Sequence, residues 1–346
     1  MSRWANRRVV LAEEPAGHVT PDHFTIDSGT VPSPSAGEVL VRVVYAQVAP
    51  AARAVMTTTT SFPRARPGDG IFTAVVGEVV ECPGSELPLG TIVTGYGLWE
   101  EYLLAPVSAV RPVTPRKHMY EHLGLLGMNG LSAYFGVTAL SQIAPGSTFV
   151  VSAAAGGVGH IAGQIVKVLG ARVVGITGST VKNKTLVDDL GFTAAVNRRA
   201  TSLADQLIEA CPEGIDIYFD NAGGPLLETL LPLMNRKGRI VCCGQTAVYD
   251  SAEDAISAPG PRGIPQIMIN KSLRLEGFMT ADFASEWPLA LDQLAMWADE
   301  GKVIPLTDIR NGLDSAPQAL VDLLDGKNLG QMVVRIAPEQ PSLTAA

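Results

Sequence analysis

The sequence is poor in cysteine, in charge and in long apolar runs, and each shortage excludes something. Four cysteines among 346 residues, Cys82, Cys211, Cys242 and Cys243, do not make a disulfide framework. No C-x-x-C spacing occurs, and the adjacent Cys242 and Cys243 would face opposite sides of a strand, so no bound metal is expected. Among the five histidines, His118 and His122 stand four apart but lack the H-E-x-x-H pattern. With His18, His23 and His160 they read as surface or capping residues. Only 17% of residues are charged, and 34 acids outnumber 26 bases for a net charge of -8. Nucleic acid and anionic membrane surfaces need a cationic footprint and are excluded as main partners. No apolar run nears the ~20 residues of a membrane span. The opening "MSRWANRRVVLAEEP" reaches two glutamates too soon for a signal-peptide core. A soluble, cytoplasmic protein is the reading.

What is abundant is apolar residue, 47% of the chain, enough for two domains of ~150 residues each. Up to residue 125 the chain is β-rich. The runs at 37–50, 72–82 and 90–106 are bounded by Gly and Pro clusters, as in a compact barrel or sandwich. "TTTTSFPRARPG" (57–68) reads as a loop. From residue 127 strands and helices alternate. Strands are expected at 148–152, 172–177, 194–197, 215–220, 238–243 and 271–279, with helices at 157–169, 181–190, 201–210 and 224–235. That alternation implies right-handed crossovers and a parallel sheet covered on both faces. Residues 286–303 predict a long amphipathic helix with Leu291, Leu294 and Met296 inward, and the last residues, 338–346, a disordered tail.

One stretch stands apart, "VVSAAAGGVGH" (150–160). Alone it is either a cradle for phosphates or a small-residue turn between strand and helix. Its context, a strand before and an amphipathic helix after, favours the cradle. Gly156, Gly157 and Gly159 would let a pyrophosphate approach backbone N–H groups at a helix start. An NAD site usually places an acid about 20 residues on, to hold the ribose 2′-hydroxyl. Here Gly178, Ser179 and Thr180 stand there, followed by Lys182 and Lys184. A carboxylate would repel a 2′-phosphate, whereas hydroxyl and ammonium groups bind it, so NADPH is favoured over NADH. Arg198, after the third strand, would add a second cation.

With "NRRVVLAEEP", "GMNGLSAYFGV", "AAAGGVG", "GIDIYFDNAGG", "GRIVCCGQTAVYD", "SLRLEGFM" and "DGKNLGQMVVR" in this order, the chain resembles the zinc-independent medium-chain dehydrogenases/reductases. Within them it resembles the leukotriene B4 dehydrogenase/prostaglandin reductase branch of NADPH-dependent double-bond reductases. The resemblance implies an α/β protein: a Rossmann doubly wound parallel sheet domain (128–304) plus a GroES-like β-barrel domain (1–127 and 305–338), a flexible tail (339–346) and a homodimer. It implies pyrophosphate contacts at Gly156, Gly157, Val158 and Gly159, and 2′-phosphate contacts at Ser179 and Lys182. Asn221, the segment Cys243, Gly244, Gln245, Thr246 to Tyr249, the segment Phe278, Met279, Thr280, and Asn328 would surround the adenosine and nicotinamide. Read without the resemblance, Asn221 and Asn328 are turn residues.

Three departures from the family pattern bear on substrate. A D-P-Y-M-R-like motif is replaced by Ala49-Pro50-Ala51-Ala52-Arg53, Arg198 stands where a tyrosine is frequent, and Asn270 replaces a tyrosine of some relatives. Smaller residues at Ala51 and Asn270 imply a roomier or reshaped pocket. The family chemistry adds hydride to the β-carbon of an α,β-unsaturated carbonyl, and the enolate then needs a hydrogen-bond donor and a proton. Tyr249 is the candidate for that contact, with the nicotinamide ribose hydroxyl or a mere pocket wall as alternatives for its role. Arg53 is the candidate for holding a substrate carbonyl or anion, or else is structural. Residues 252–266, rich in Gly and Pro, read as a lid. Three functions fit: an enone or enal reductase, a reductive cyclase acting on a polyene (polycyclic tetramate macrolactam-type), and a non-catalytic NADPH-binding protein.

Overall fold

The computed structural model describes residues 4–56, 64–84, 86–200, 202–247, 249–250 and 263–339. Residues 57–63 of the expected loop, 252–262 of the expected lid and 340–346 of the tail lie outside the described residues. The chain divides into two units, Met1–Leu123 with Asp308–Lys327 and Met332–Ala346, and Gly124–Thr307 with Asn328–Gln331. The sequence boundaries at 127/128 and 304/305 fall within four residues of these, but residues 328–331 return to the second unit.

The first unit opens with a hairpin that polar residues hide in the sequence. β1 (Trp4–Leu11) pairs antiparallel with β2 (Phe24–Val31). β3 (Glu38–Val48) is an almost continuous apolar run because nearly all of it is buried. It is followed by the short α1 (Ala51–Ala54) and by β4 (Phe72–Glu81), β5 (Ile92–Leu98), β6 (Tyr102–Pro106) and β7 (Val110–Pro112). The single run expected at 90–106 is therefore two strands, β5 on β4 and β6 on β3. Between them Trp99 is fully buried and donates from Nε1 to the Gln47 carbonyl at 3.0 Å.

The second unit is the alternating part. It contains α2 (Met128–Phe135), β8 (Thr148–Val151), α3 (Gly159–Val168), β9 (Arg172–Thr177), α4 (Thr180–Lys184), β10 (Ala194–Asn197) and α5 (Leu203–Ala210). Then follow β11 (Ile215–Asp220), α6 (Pro225–Leu230), β12 (Met234–Cys242), α7 (Ile264–Lys271), β13 (Arg274–Gly277) and α8 (Trp287–Asp299). The helix expected at 224–235 stops at Leu230 because Pro232 lacks the N–H and clashes with the preceding turn. In α8 the buried positions are Ala290, Leu294 and Trp297, spaced four and three apart. Met296, expected inward, is 46% exposed. β14 (Thr307–Asn311), α9 (Ala316–Leu324) and β15 (Gln331–Arg335) close the chain, with β15 pairing antiparallel to β3.

The sheet of the second unit runs β10-β9-β8-β11-β12-β13, all parallel. Alternate residues of β8 and β11 enter different cores, Phe149, Val151, Ile217 and Phe219 one, Val150 and Tyr218 the other. Both faces are thus covered, as a doubly wound sheet requires. Cys243 and Cys242 likewise go to opposite cores. Strand order reverses between β8 and β11, and the carboxyl ends of those two strands are where such sheets bind ligands.

Candidate active site

β8 ends in Val151, and Ser152 begins the connection to α3. The amides and carbonyls of this turn close on themselves: Gly156 N–H donates to Ala153 O at 2.8 Å. A Cβ on Gly159 would collide with that same Ala153 carbonyl, and one on Gly157 with the Asn129 carboxamide. The backbone therefore demands glycine at Gly159, whereas at Gly157 a Cβ would have to push the Asn129 carboxamide aside. Asn129 hydrogen-bonds Gln331 across the turn. Among the described residues, the amide N–H groups of Val158 and Gly159 make no hydrogen bond. Unpaired donors at the start of an amphipathic helix fit the pyrophosphate of a dinucleotide, and the turn leaves no side chain in the way. Asn328 reaches the same place indirectly. Its Nδ2 donates to Gly330 O at 2.8 Å, and Gly330 N–H donates to Ala155 O at 2.7 Å.

At the neighbouring strand end the Thr177 hydroxyl bonds Asn183 Oδ1 at 2.6 Å and accepts from Ser179 N–H at 3.2 Å. The Ser179 side chain makes no cap bond to α4. Lys182 is half-buried beside it, whereas Lys184 is exposed and paired with Asp188. Arg198 N–H donates to Thr177 O at 2.8 Å, which brings the start of the 198–199 turn alongside. A Cβ on Gly178 would lie 3.3 Å from Arg199 Nε and 3.7 Å from Arg198 Nε. Burial, then the Arg199 charge, lower the Arg198 guanidinium below its ordinary value. Two cations over a glycine, with no carboxylate at the strand end, fit a phosphate rather than a ribose hydroxyl. Arg199 was not singled out from the sequence, although the "RR" pair signalled it.

At the carboxyl end of β11 a buried polar network sets the next turn. Asp220 Oδ1 accepts from the Tyr218 hydroxyl (2.7 Å), the Ser152 hydroxyl (3.0 Å) and the amides of Ala222 (2.9 Å) and Gly223 (2.8 Å). Asn221 donates from Nδ2 to Ser152 O at 2.8 Å, and its carbonyl accepts from the Thr246 amide and hydroxyl, each at 3.1 Å. Cys243 and Gly244 amides donate to Asp220 O, and Ala247 to Ala222 O. Asn221, Cys243, Gly244 and Thr246 are thus brought together, with the backbone of Gln245 bonded to the Tyr249 phenol. Burial, with Cys243 nearby, raises that phenol against the Gln245 bond, so it stays protonated. Burial also pushes the Cys243 thiol up to about 12. Neither Ser152 nor Asp220 carried a sequence signal beyond its place at a strand end.

The remaining expected site residues are each held by local contacts of their own. Phe278 packs edge-on against Phe283 beside Leu131 and Phe135, Met279 is 56% exposed, and the Thr280 carbonyl accepts from Trp287 Nε1 at 2.9 Å. Asn270 is exposed on α7 and accepts from Gln266 at 2.9 Å. In the first unit Ala51 is exposed, while Arg53 is 1% exposed and donates to Gly17 O at 2.7 Å, fastening α1 to the loop after β1. His122 and His160, expected as surface or capping residues, are buried. All four cysteines are free thiols, and among the described residues no group of metal-binding side chains gathers.

Known proteins resemble this chain over nearly its full length. Residues 7–113 match the family described as "N-terminal domain of oxidoreductase", and residues 157–296 the family described as "Zinc-binding dehydrogenase". The NADPH-dependent curcumin reductase of Escherichia coli is 36% identical, covering 96% of this chain and 97% of the relative. Prostaglandin reductase 1 of Bos taurus is 35% identical, covering 92% and 95%. The crystal structure of CurA from Vibrio vulnificus in complex with NADPH has a TM-score of 0.89 at 33% identity, covering 97% of this chain and all of that one.

Proposed function

The chain belongs to the double-bond reductase branch of the zinc-independent medium-chain dehydrogenases/reductases, and on that premise we propose that it reduces α,β-unsaturated carbonyl compounds with NADPH. The observation that carries this reading is the glycine turn with unpaired Val158 and Gly159 amides, backed by two arginines at the next strand end. Gly156, Gly157, Val158 and Gly159 would hold the pyrophosphate. Ser179, Lys182 and Arg198, with Arg199, would hold the 2′-phosphate. Asn221, the 243–246 turn, the 278–280 segment and Asn328 would border the rest of the dinucleotide. Bound there, NADPH supplies the hydride. The protein's part is to orient, and to meet the negative charge that develops on the substrate carbonyl oxygen. The Tyr249 phenol, held protonated by burial, donates a hydrogen bond or a proton to that oxygen. Arg53 acts by fixing the loop at Gly17, in keeping with its burial.

A homodimer is part of the same proposal. β13 ends the sheet with all four residues exposed, Leu275 at 40%, and Ile269 on α7 is 71% exposed. Among the described residues no strand pairs on the far side of β13, and such an edge flanked by apolar side chains is an invitation to strand pairing with a second copy. A reducing compartment fits the four free thiols, and no helix among the described residues is long and apolar enough to cross a membrane. The experiment is a kinetic one: loss of reduced-nicotinamide absorbance with small enones and enals, NADPH against NADH. Turnover with NADPH supports the reading. Tight NADPH binding without consumption by any conjugated carbonyl substrate overturns it.

A further inference from the structure

The residue that closes the opening glycine motif, His160, has no part in the chemistry proposed above. Both of its ring nitrogens are nevertheless engaged. His160 lies in the first turn of α3 and is 1% exposed. Burial pushes its imidazole down to about 4, so the ring is neutral. One ring nitrogen, Nδ1, stands 2.6 Å from the Gly156 carbonyl oxygen, and the other, Nε2, 3.0 Å from the Leu306 amide nitrogen. A carbonyl only accepts and an amide N–H only donates, so the two partners fix the tautomer: Nδ1 carries the proton and Nε2 receives.

The bonds continue into a closed circuit. The Leu306 carbonyl accepts from Gln331 N–H at 2.8 Å, and Gly330 N–H, next in line, donates to Ala155 O at 2.7 Å. The circuit therefore runs from Gly156 through His160, Leu306 and residues 331–330 back to Ala155, all inside one unit. One helical turn further on, Gln164 fastens Ile304 by two more bonds, 2.8 and 3.0 Å.

From this geometry we propose that His160 is a positioning residue for the dinucleotide: it clamps the Gly156 carbonyl so that the turn presents only N–H donors. The Gly156 carbonyl also accepts from the His160 backbone N–H at 3.3 Å, and the shorter ring bond tightens that hold; held less firmly beside the unpaired Val158 and Gly159 amides, the oxygen would repel a pyrophosphate oxygen. The inference rests on the NADPH reading and concerns only the diphosphate end of that ligand.

The test titrates the full-length protein with NADPH and with adenosine 2′-monophosphate, which carries the 2′-phosphate but no pyrophosphate. His160→Gln places an acceptor for Leu306 but loses the hold on Gly156; His160→Asn does the reverse. His160→Gln weakens NADPH about tenfold, the worth of a hydrogen bond to a charged ligand's seat, and leaves adenosine 2′-monophosphate within about twofold. His160→Asn keeps NADPH within about threefold while its thermal midpoint falls with the lost Leu306 bond. Equal weakening of both ligands in His160→Gln, or unchanged NADPH affinity, overturns the proposal. If His160→Gln does not fold, His160→Asn decides, because NADPH affinity lost in step with the thermal midpoint also overturns it. Native protein that binds neither ligand would sink the NADPH reading itself, a separate result.

Discussion

Arg198 and Arg199 converge on Gly178, their Nε atoms 3.7 and 3.3 Å from where a Cβ on that glycine would sit. Burial first, and the adjacent Arg199 charge second, lower the Arg198 guanidinium below its ordinary value. A dianion between them would turn the repulsion into attraction. Replacing Arg199 by alanine, or Lys182 by alanine, is expected to raise the KM for NADPH about tenfold and to leave NADH little changed. Initial rates with both cofactors check this; an equal effect on both would remove the 2′-phosphate assignment.

Tyr249 offers a cleaner split between binding and chemistry. Tyr249→Phe keeps the ring and removes the donor. A fall in kcat of about tenfold to a hundredfold, with unaltered NADPH affinity, is expected if the phenol meets the developing charge. An unchanged kcat would make the ring a wall.

Acid should loosen the fold through two buried histidines. Burial holds His122 and His160 down to about 4 against an ordinary 6.5, so both are neutral when folded. The unfolded chain binds their protons first as pH falls. The stabilising contribution is therefore complete above pH 6.5 and is lost as pH drops from there toward 4. Each ring contributes a slope of up to ~1.4 kcal/mol per pH unit in that window. Urea midpoints measured from neutral to mildly acid pH read the slope, and His122→Asn should reduce it by one ring's share.

The edge strand makes an assembly prediction. Leu275→Lys puts a charge on β13 without touching the interior. Light scattering should show a native dimer and a variant shifted to monomer; a native monomer would refute the pairing.

Much of the second unit could be read in advance because burial on both faces makes its strands unbroken apolar runs. The bounds at 172–177, 194–197 and 215–220 match for that reason. β1 and β2 were missed because "NRR" and "DSGT" interrupt their apolar residues. The glycine turn, Ser179, Lys182 and Arg198 could be proposed as a phosphate site from the sequence because phosphate recognition needs particular residue types at particular strand ends. Asp220 and Ser152 were not, since their task depends on which strand ends adjoin β8. His160 was misjudged for a related reason. A histidine's exposure is set by what packs on it, here residues about 146 positions away in the chain, and no local pattern records that.

Residues 328–331 belong to the second unit although they lie beyond the segment that returns to the first. Gly330 and Gln331 bond Ala155 and Leu306, and Gln331 also holds Asn129. The cofactor half is thus not a contiguous stretch of gene. A fragment ending at Thr307 would lack the backbone partners of its own glycine turn. Chimeras that exchange this half among relatives must carry a four-residue passenger from near the C-terminus.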